Sequence, residues 1–159
     1  MEELEASLQS ELEKTKRFEV FAVSKEQMRQ WTQEAKTTWR ADEPLPMDFF
    51  DKLQKETGSD AVLFCQITRY NPYPPLAVGW KMVLASRAAG TNAVPQILWQ
   101  VDDVADAGDP QTAHAARTYY LQHVRTEQSQ SDAGMILRSP DLFGQFSLSA
   151  IFGTIPTHE

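Results

Sequence analysis

AVLFCQI, residues Ala61–Ile67, is apolar at nearly every position. A run of that kind suits a strand covered on both faces, so it predicts the centre of a sheet. Downstream, Val78, Trp80, Met82 and Leu84 alternate with Gly79, Lys81, Val83 and Ala85. Ile97, Trp99 and Val101 alternate in the same way with Leu98, Gln100 and Asp102. Between the two alternating runs lies SRAAGTNAVP (Ser86–Pro95), rich in turn formers, and an antiparallel hairpin beside the central strand follows. Upstream, Phe18–Val23 is a short, mostly apolar stretch that reads as a further strand. A helix pair would join it to Ala61–Ile67, and such a crossover favours parallel pairing of right-handed sense.

The helices are marked by their ends. Leu4, Leu8 and Leu12 recur every four residues in the first segment, with Glu2, Glu3 and Glu5 at its start and Lys14, Lys16 and Arg17 at its close. This is an amphipathic helix with charges complementing its dipole, to be laid on the sheet or offered to a partner helix. Ser24 and Gln27 form a capping box ahead of a helix whose Met28 and Trp31 share a face. Pro44 and Pro46 break it, and Pro46 suits the first turn of the next helix, which carries Phe49, Phe50 and Leu53 and ends at a left-handed Gly58. Asp109 caps a helix with Pro110 at its first position and Ala113, Ala116, Tyr120 and Val124 along its apolar side. TEQSQSDAG (Thr126–Gly134) is a polar loop. Ser139 and Pro140 open a last helix with Leu142, Phe143, Phe146, Ala150 and Ile151 inward, stopped by Gly153 and Pro156. No repeat and no long linker divides residues 1–159, so one α/β domain is expected, a single mixed sheet with helices packed on it.

Composition narrows the chemistry. The 159 residues are 42% hydrophobic and 23% charged, which is ordinary globular usage. The net charge is −7, a poor basis for gripping a phosphate backbone, so no nucleic-acid partner is expected. No apolar run reaches the roughly 18 residues of a membrane span. The acidic start has no positive n-region and no apolar core of a signal peptide. The single cysteine, Cys65, forbids an internal disulfide; its place inside the apolar strand reads as a buried, inert thiol. There is no phosphate-binding glycine loop, nucleophile elbow or Cys-x-x-Cys pair. His114 and His123 stand nine residues apart, on opposite sides of one helix, and cannot share a metal. The acidic cluster Asp102, Asp103, Asp106 and Asp109 has oxygen ligands suited to calcium or magnesium, but no EF-hand spacing. Capping and strand-end polarity account for it, so neither a metal nor a cofactor is expected.

TRYNPYPPLAVGW (Thr68–Trp80) is the most unusual stretch. Pro72, Pro74 and Pro75 remove backbone donors and stiffen the chain, with Tyr70 and Tyr73 among them. Two readings stand side by side: a stiff connection packed by its own aromatics, or a partner surface of Tyr70, Tyr73, Pro74 and Pro75. Tyr70, ending the strand, is expected buried, and Tyr73, amid the prolines, exposed.

The order of elements, together with LQKETGSDAVLFCQITRY (Leu53–Tyr70), NPYPPLAVGWKMVLASRAAG (Asn71–Gly90) and ILWQVDDVADAG (Ile97–Gly108), resembles a group of uncharacterised bacterial envelope proteins and lipoproteins. These look related to the α/β domain shared by the TolB amino-terminal domain, the penicillin-binding-protein activator LpoB and the curli-secretion protein CsgG. The shared features are a glycine leading into an apolar strand (Gly58–Phe64) and a strand, glycine turn and strand ending in Trp (Lys81–Trp99). The resemblance spans Met1 to about Gly108. It implies a strand ahead of the first helix, which this chain, opening in that helix, lacks. It also implies a non-catalytic interaction or scaffold domain in the periplasm or at the outer membrane, given an upstream signal peptide. Its partner would be a protein. The alternatives are a small metal-binding or hydrolytic enzyme centred on Asp102–Asp109, and a self-assembling subunit that forms homo-oligomers through a sheet edge.

Overall fold

The computed structural model describes residues 2–32, 49–86, 96–124 and 132–156. In chain order the elements are α1 (Glu2–Lys14), α2 (Lys25–Thr32), α3 (Phe49–Thr57), β1 (Ala61–Asn71), β2 (Ala77–Ser86), β3 (Gln96–Asp106), α4 (Pro110–Tyr119) and α5 (Pro140–Phe152). A π turn, Tyr120–Val124, extends α4, and a 3-10 turn, Ala133–Leu137, precedes α5. Among the described residues the strands make one antiparallel sheet in the order β1-β2-β3. The fold is therefore α/β with a single sheet carrying helices, as expected.

Three expectations about the sheet are corrected. The central strand is β2, not the AVLFCQI run, which lies in the edge strand β1. β2 is buried on both faces, through Ala77, Val78, Gly79, Trp80, Met82, Val83 and Ala85. Its small residues admit neighbours that a larger side chain would exclude: a Cβ at Gly79 would stand 2.5 Å from Thr68 Oγ1 of β1. β1 is longer than the apolar run that marks it, taking in Thr68–Asn71 as well. Phe18–Val23 forms no strand, so the sheet is antiparallel rather than mixed. Phe18 and Phe21 are exposed, while Val23 packs against the core of Trp31, Phe49 and Leu53. The Arg17 guanidinium donates to the carbonyls of Ile155 (2.9 Å) and Pro156 and lies over the Phe18 ring.

Contacts group the residues into two compact units. The first contains Met1–Val20, Ile67–Trp80 and Asp102–Glu159. Its main helix pair is α1 on α5, so the leucine stripe of α1 meets a helix rather than the sheet. Leu4 and Leu12 are buried there, and Gly144 of α5 provides the close approach: a Cβ on it would lie 2.6 Å from Leu4 Cδ2. α5 is covered through Phe143, Phe146, Leu148, Ile151 and Phe152, while Ala150, expected inward, is exposed. The helix meets β2 through a buried polar chain. Trp80 Nε1 donates to Ser147 Oγ at 3.0 Å, and Ser147 Oγ donates to the Gly144 carbonyl at 2.7 Å.

The second unit contains Phe21–Gln66 and Lys81–Val101. Its described core is Trp31, Phe49 and Leu53, with Val23, Met28, Phe50, Val62 and Phe64 against them. The local end signals are realised here. Ser24 N donates to Gln27 Oε1 at 3.0 Å, and Gln27 N donates to Ser24 Oγ at 3.1 Å, completing the capping box. Gly58 takes φ +72° and its N–H donates to the Gln54 carbonyl, closing α3 in the left-handed region. The expected roles of Pro44 and Pro46, and the turn from Arg87 to Pro95, lie outside the described residues.

Candidate functional site

The proline-rich stretch folds as a tight connection between β1 and β2. Because β1 runs on to Asn71 and β2 starts at Ala77, residues 72–76 alone reverse the chain. Asn71 ties the turn from within. Its Nδ2 donates to the Pro75 carbonyl at 2.9 Å, and its Oδ1 accepts from Tyr73 N at 3.4 Å. Leu76 is buried and anchors the far side, where its carbonyl accepts from Ala107 N at 2.8 Å. The Pro74–Pro75 peptide is cis. Between these anchors Tyr73, Pro74 and Pro75 are exposed, Tyr73 to 75%.

The tyrosine expectation splits. Tyr73 is exposed as expected, but Tyr70 is exposed too, at 37%, where burial was expected. The reason is strand position. Tyr70 belongs to the edge strand β1, which is paired on one side only among the described residues, not to the central strand the expectation assumed. Packing by its own aromatics does not describe this turn; Tyr73, Pro74 and Pro75 face solvent, and Asn71 ties the turn from within.

Beside the turn lies the end of β3. Gly108 is close enough to Pro75 that a Cβ on it would sit 3.8 Å from the proline Cβ. β3 carries Asp102, Asp103 and Asp106, so these aspartates stand in a strand and not beyond its end. Asp106 Oδ1 accepts from Gly108 N at 2.8 Å, and Oδ2 meets Arg69 of β1 at 3.4 Å. Asp103 Oδ1 accepts from Val104 N at 2.8 Å. Asp109 Oδ2 accepts from both N and Oγ1 of Thr112 at 2.9 Å, the cap read from sequence. Those hydrogen bonds, the backbone one first, hold the Asp109 carboxyl below its ordinary value. Among the described residues no group of three or more His, Cys, Asp or Glu side chains is placed to hold a metal ion.

Three other titratable groups are shifted by their surroundings. Val62 and Phe64 pack into the second unit's core, so Cys65, the next residue on the strand, faces the other way and is exposed rather than buried. The thiol reaches solvent, yet the protein atoms crowded around it push it up to about 12 by desolvation, which leaves almost no thiolate at neutral pH. Glu11 is buried in α1, where its Oε1 accepts from Lys14 Nζ at 2.7 Å and raises the lysine's pKa. Tyr119 is raised chiefly by desolvation and then by the nearby Glu11 carboxylate.

The sequence marked the turn residues through their prolines. It did not mark Arg69 as the partner of Asp106, nor the outer edge of β3 as part of the same surface. Only the strand order brings Arg69 of β1 to Asp106 of β3, beside Gly108 and Pro75. The chain matches no family model, no curated protein and no solved structure.

Proposed function

We propose that this is a non-catalytic protein-interaction domain that docks a partner through the Tyr70–Pro75 turn. The observation carrying it is the Tyr73 ring, 75% exposed on a turn that Asn71 and the prolines already hold in shape. A rigid, exposed tyrosine loses little entropy on docking and offers apolar area with a hydroxyl, the profile of an interface anchor. Tyr70, Pro74 and Pro75 extend the surface. Two of the four clustered carboxylates are engaged in holding structure: Asp109 in a helix cap, Asp106 in a turn and an ion pair. The periplasmic or outer-membrane setting rests on the sequence resemblance alone.

The test combines stability with crosslinking. Tyr73→Ala leaves the melting temperature unchanged, since an exposed ring supports no core, and removes about 2 kcal/mol of partner affinity. A photo-crosslinking amino acid at position 73 captures a discrete partner in the producing cell, while the same probe at exposed Lys55 does not. A melting temperature that falls as for a core aromatic, or equal capture at both positions, refutes the reading.

A further inference from the structure

We infer that the partner is a basic, extended polypeptide segment that adds as a strand to the outer edge of β3 at Asp102–Val104, alongside the Tyr-Pro turn. This builds on the docking reading above and names the chemistry of its partner. β3 is the last strand of the sheet among the described residues. Ala107 N donates inward to Leu76 O of the turn that leads into β2. Backbone groups alternate in direction along an antiparallel strand, so those of Asp102 and Val104 point outward. Val104 N is held by the Asp103 carboxylate, which fits a position facing away from β2. Asp102 then offers both its N–H and its C=O, and Val104 its C=O. Val104 is 42% exposed, a large apolar side chain on an edge that no described strand pairs. An open edge of this kind is a template for another chain.

Charge selects which chain. Arg69 neutralises Asp106, but the described residues place no cation against Asp102 or Asp103, and both are exposed. Side chains alternate along a strand, so one carboxylate stands on each face of the edge. A segment alternating basic and apolar residues can meet a carboxylate while covering Val104, and its next residues run along β3 toward Gly108, the neighbour of Pro75. A second copy of this chain brings another −7 charge and the same acidic edge, and nucleic acid brings phosphates; both are repelled.

The experiment uses the full chain and a fluorescein-labelled peptide of alternating Lys and Val, about eight residues long, the length of an ordinary strand. Fluorescence anisotropy follows binding. The Lys-Val peptide binds, more tightly at low salt, and a Glu-Val peptide does not. Asp102→Asn with Asp103→Asn, which keeps the local hydrogen-bonding groups, weakens binding about tenfold or more. N-methylation at alternate residues of the peptide abolishes binding by blocking strand pairing. Equal binding of the Glu-Val peptide, an unaffected double variant, or full binding of the N-methylated peptide overturns the inference. Tyr73→Ala separates it from the docking reading. If that variant binds as the wild type while the Asn pair does not, the turn is no anchor and the edge stands. If only Tyr73→Ala weakens binding, the turn stands and the acidic edge falls. Dimers in sedimentation that the Lys-Val peptide fails to dissociate assign the edge to a second copy and overturn the inference.

Discussion

Removing one oxygen from the contact between α5 and β2 isolates the polar link within that core. Trp80 and Ser147 are each only 2% exposed, so neither group can turn to water when its partner is lost. Ser147→Ala leaves the indole N–H of Trp80 without an acceptor in a dry setting, at a cost of about 1–3 kcal/mol. Two smaller effects run the other way or not at all. Alanine is the better helix former, by a few tenths of a kcal/mol in an interior position. The Gly144 carbonyl loses the serine hydroxyl but lies within α5, where the helix ladder supplies a donor. The net expectation is a loss of about 1–2.5 kcal/mol, read from the midpoint of urea unfolding at constant slope. Trp80→Phe removes the donor and leaves a small cavity, so it is costly by itself. In the combined variant the stranded N–H no longer exists, and the loss is smaller than the two single losses added together by about 1 kcal/mol. A Ser147→Ala variant within about 0.5 kcal/mol of the wild type, or a cycle without coupling, refutes the claim that this hydrogen bond matters.

Gly144→Ala sets a helix-propensity gain of up to about 1 kcal/mol against a Cβ placed 2.6 Å from buried Leu4 Cδ2, an overpacking of about 1–3 kcal/mol. The melting temperature falls, and trimming Leu4 to Ala in the same chain makes the second change cheaper than it is alone. Asp109 has a folded-state pKa below its ordinary 3.8, so its cap contributes stability above the ordinary value and loses it as pH falls through the lowered one. The stability gap between wild type and Asp109→Ala is therefore full at pH 6 and closes in strong acid; a gap that stays constant down to about pH 2 refutes the assignment. Cys65, with its thiol near 12, reacts with iodoacetamide at pH 7.5 far more slowly than a free thiol of pKa about 8.5, despite being exposed. A rate equal to that of a free thiol shows that desolvation does not govern it.

Helix ends were the most legible part of this chain. The Ser24–Gln27 box, Gly58, the Asp109 and Ser139 caps and the prolines after them all act within about four residues, so the bonds they make are specified by neighbours in sequence. The hairpin of β2 and β3 was legible because alternation and a turn-rich gap report a local pairing. Tyr73 was placed correctly for the same reason: prolines on either side leave a short turn no way to bury its tip.

Which strand is central, what α1 packs on and whether Cys65 and Tyr70 are covered were decided by the tertiary structure alone. An apolar run states that a strand prefers cover; it does not state that cover exists. AVLFCQI lies on an edge because Phe18–Val23, which could have flanked it, forms no strand, and no other described strand pairs there. β2 takes the centre, and there Gly79 gives Thr68 and Arg69 of β1 the room a larger side chain would fill. The Arg69–Asp106 pair, which spans the two outer strands, follows from that strand order. Local hydrogen bonding writes element ends into the sequence. Register and strand order depend on which distant surfaces fit, and that competition is settled only when the whole chain packs.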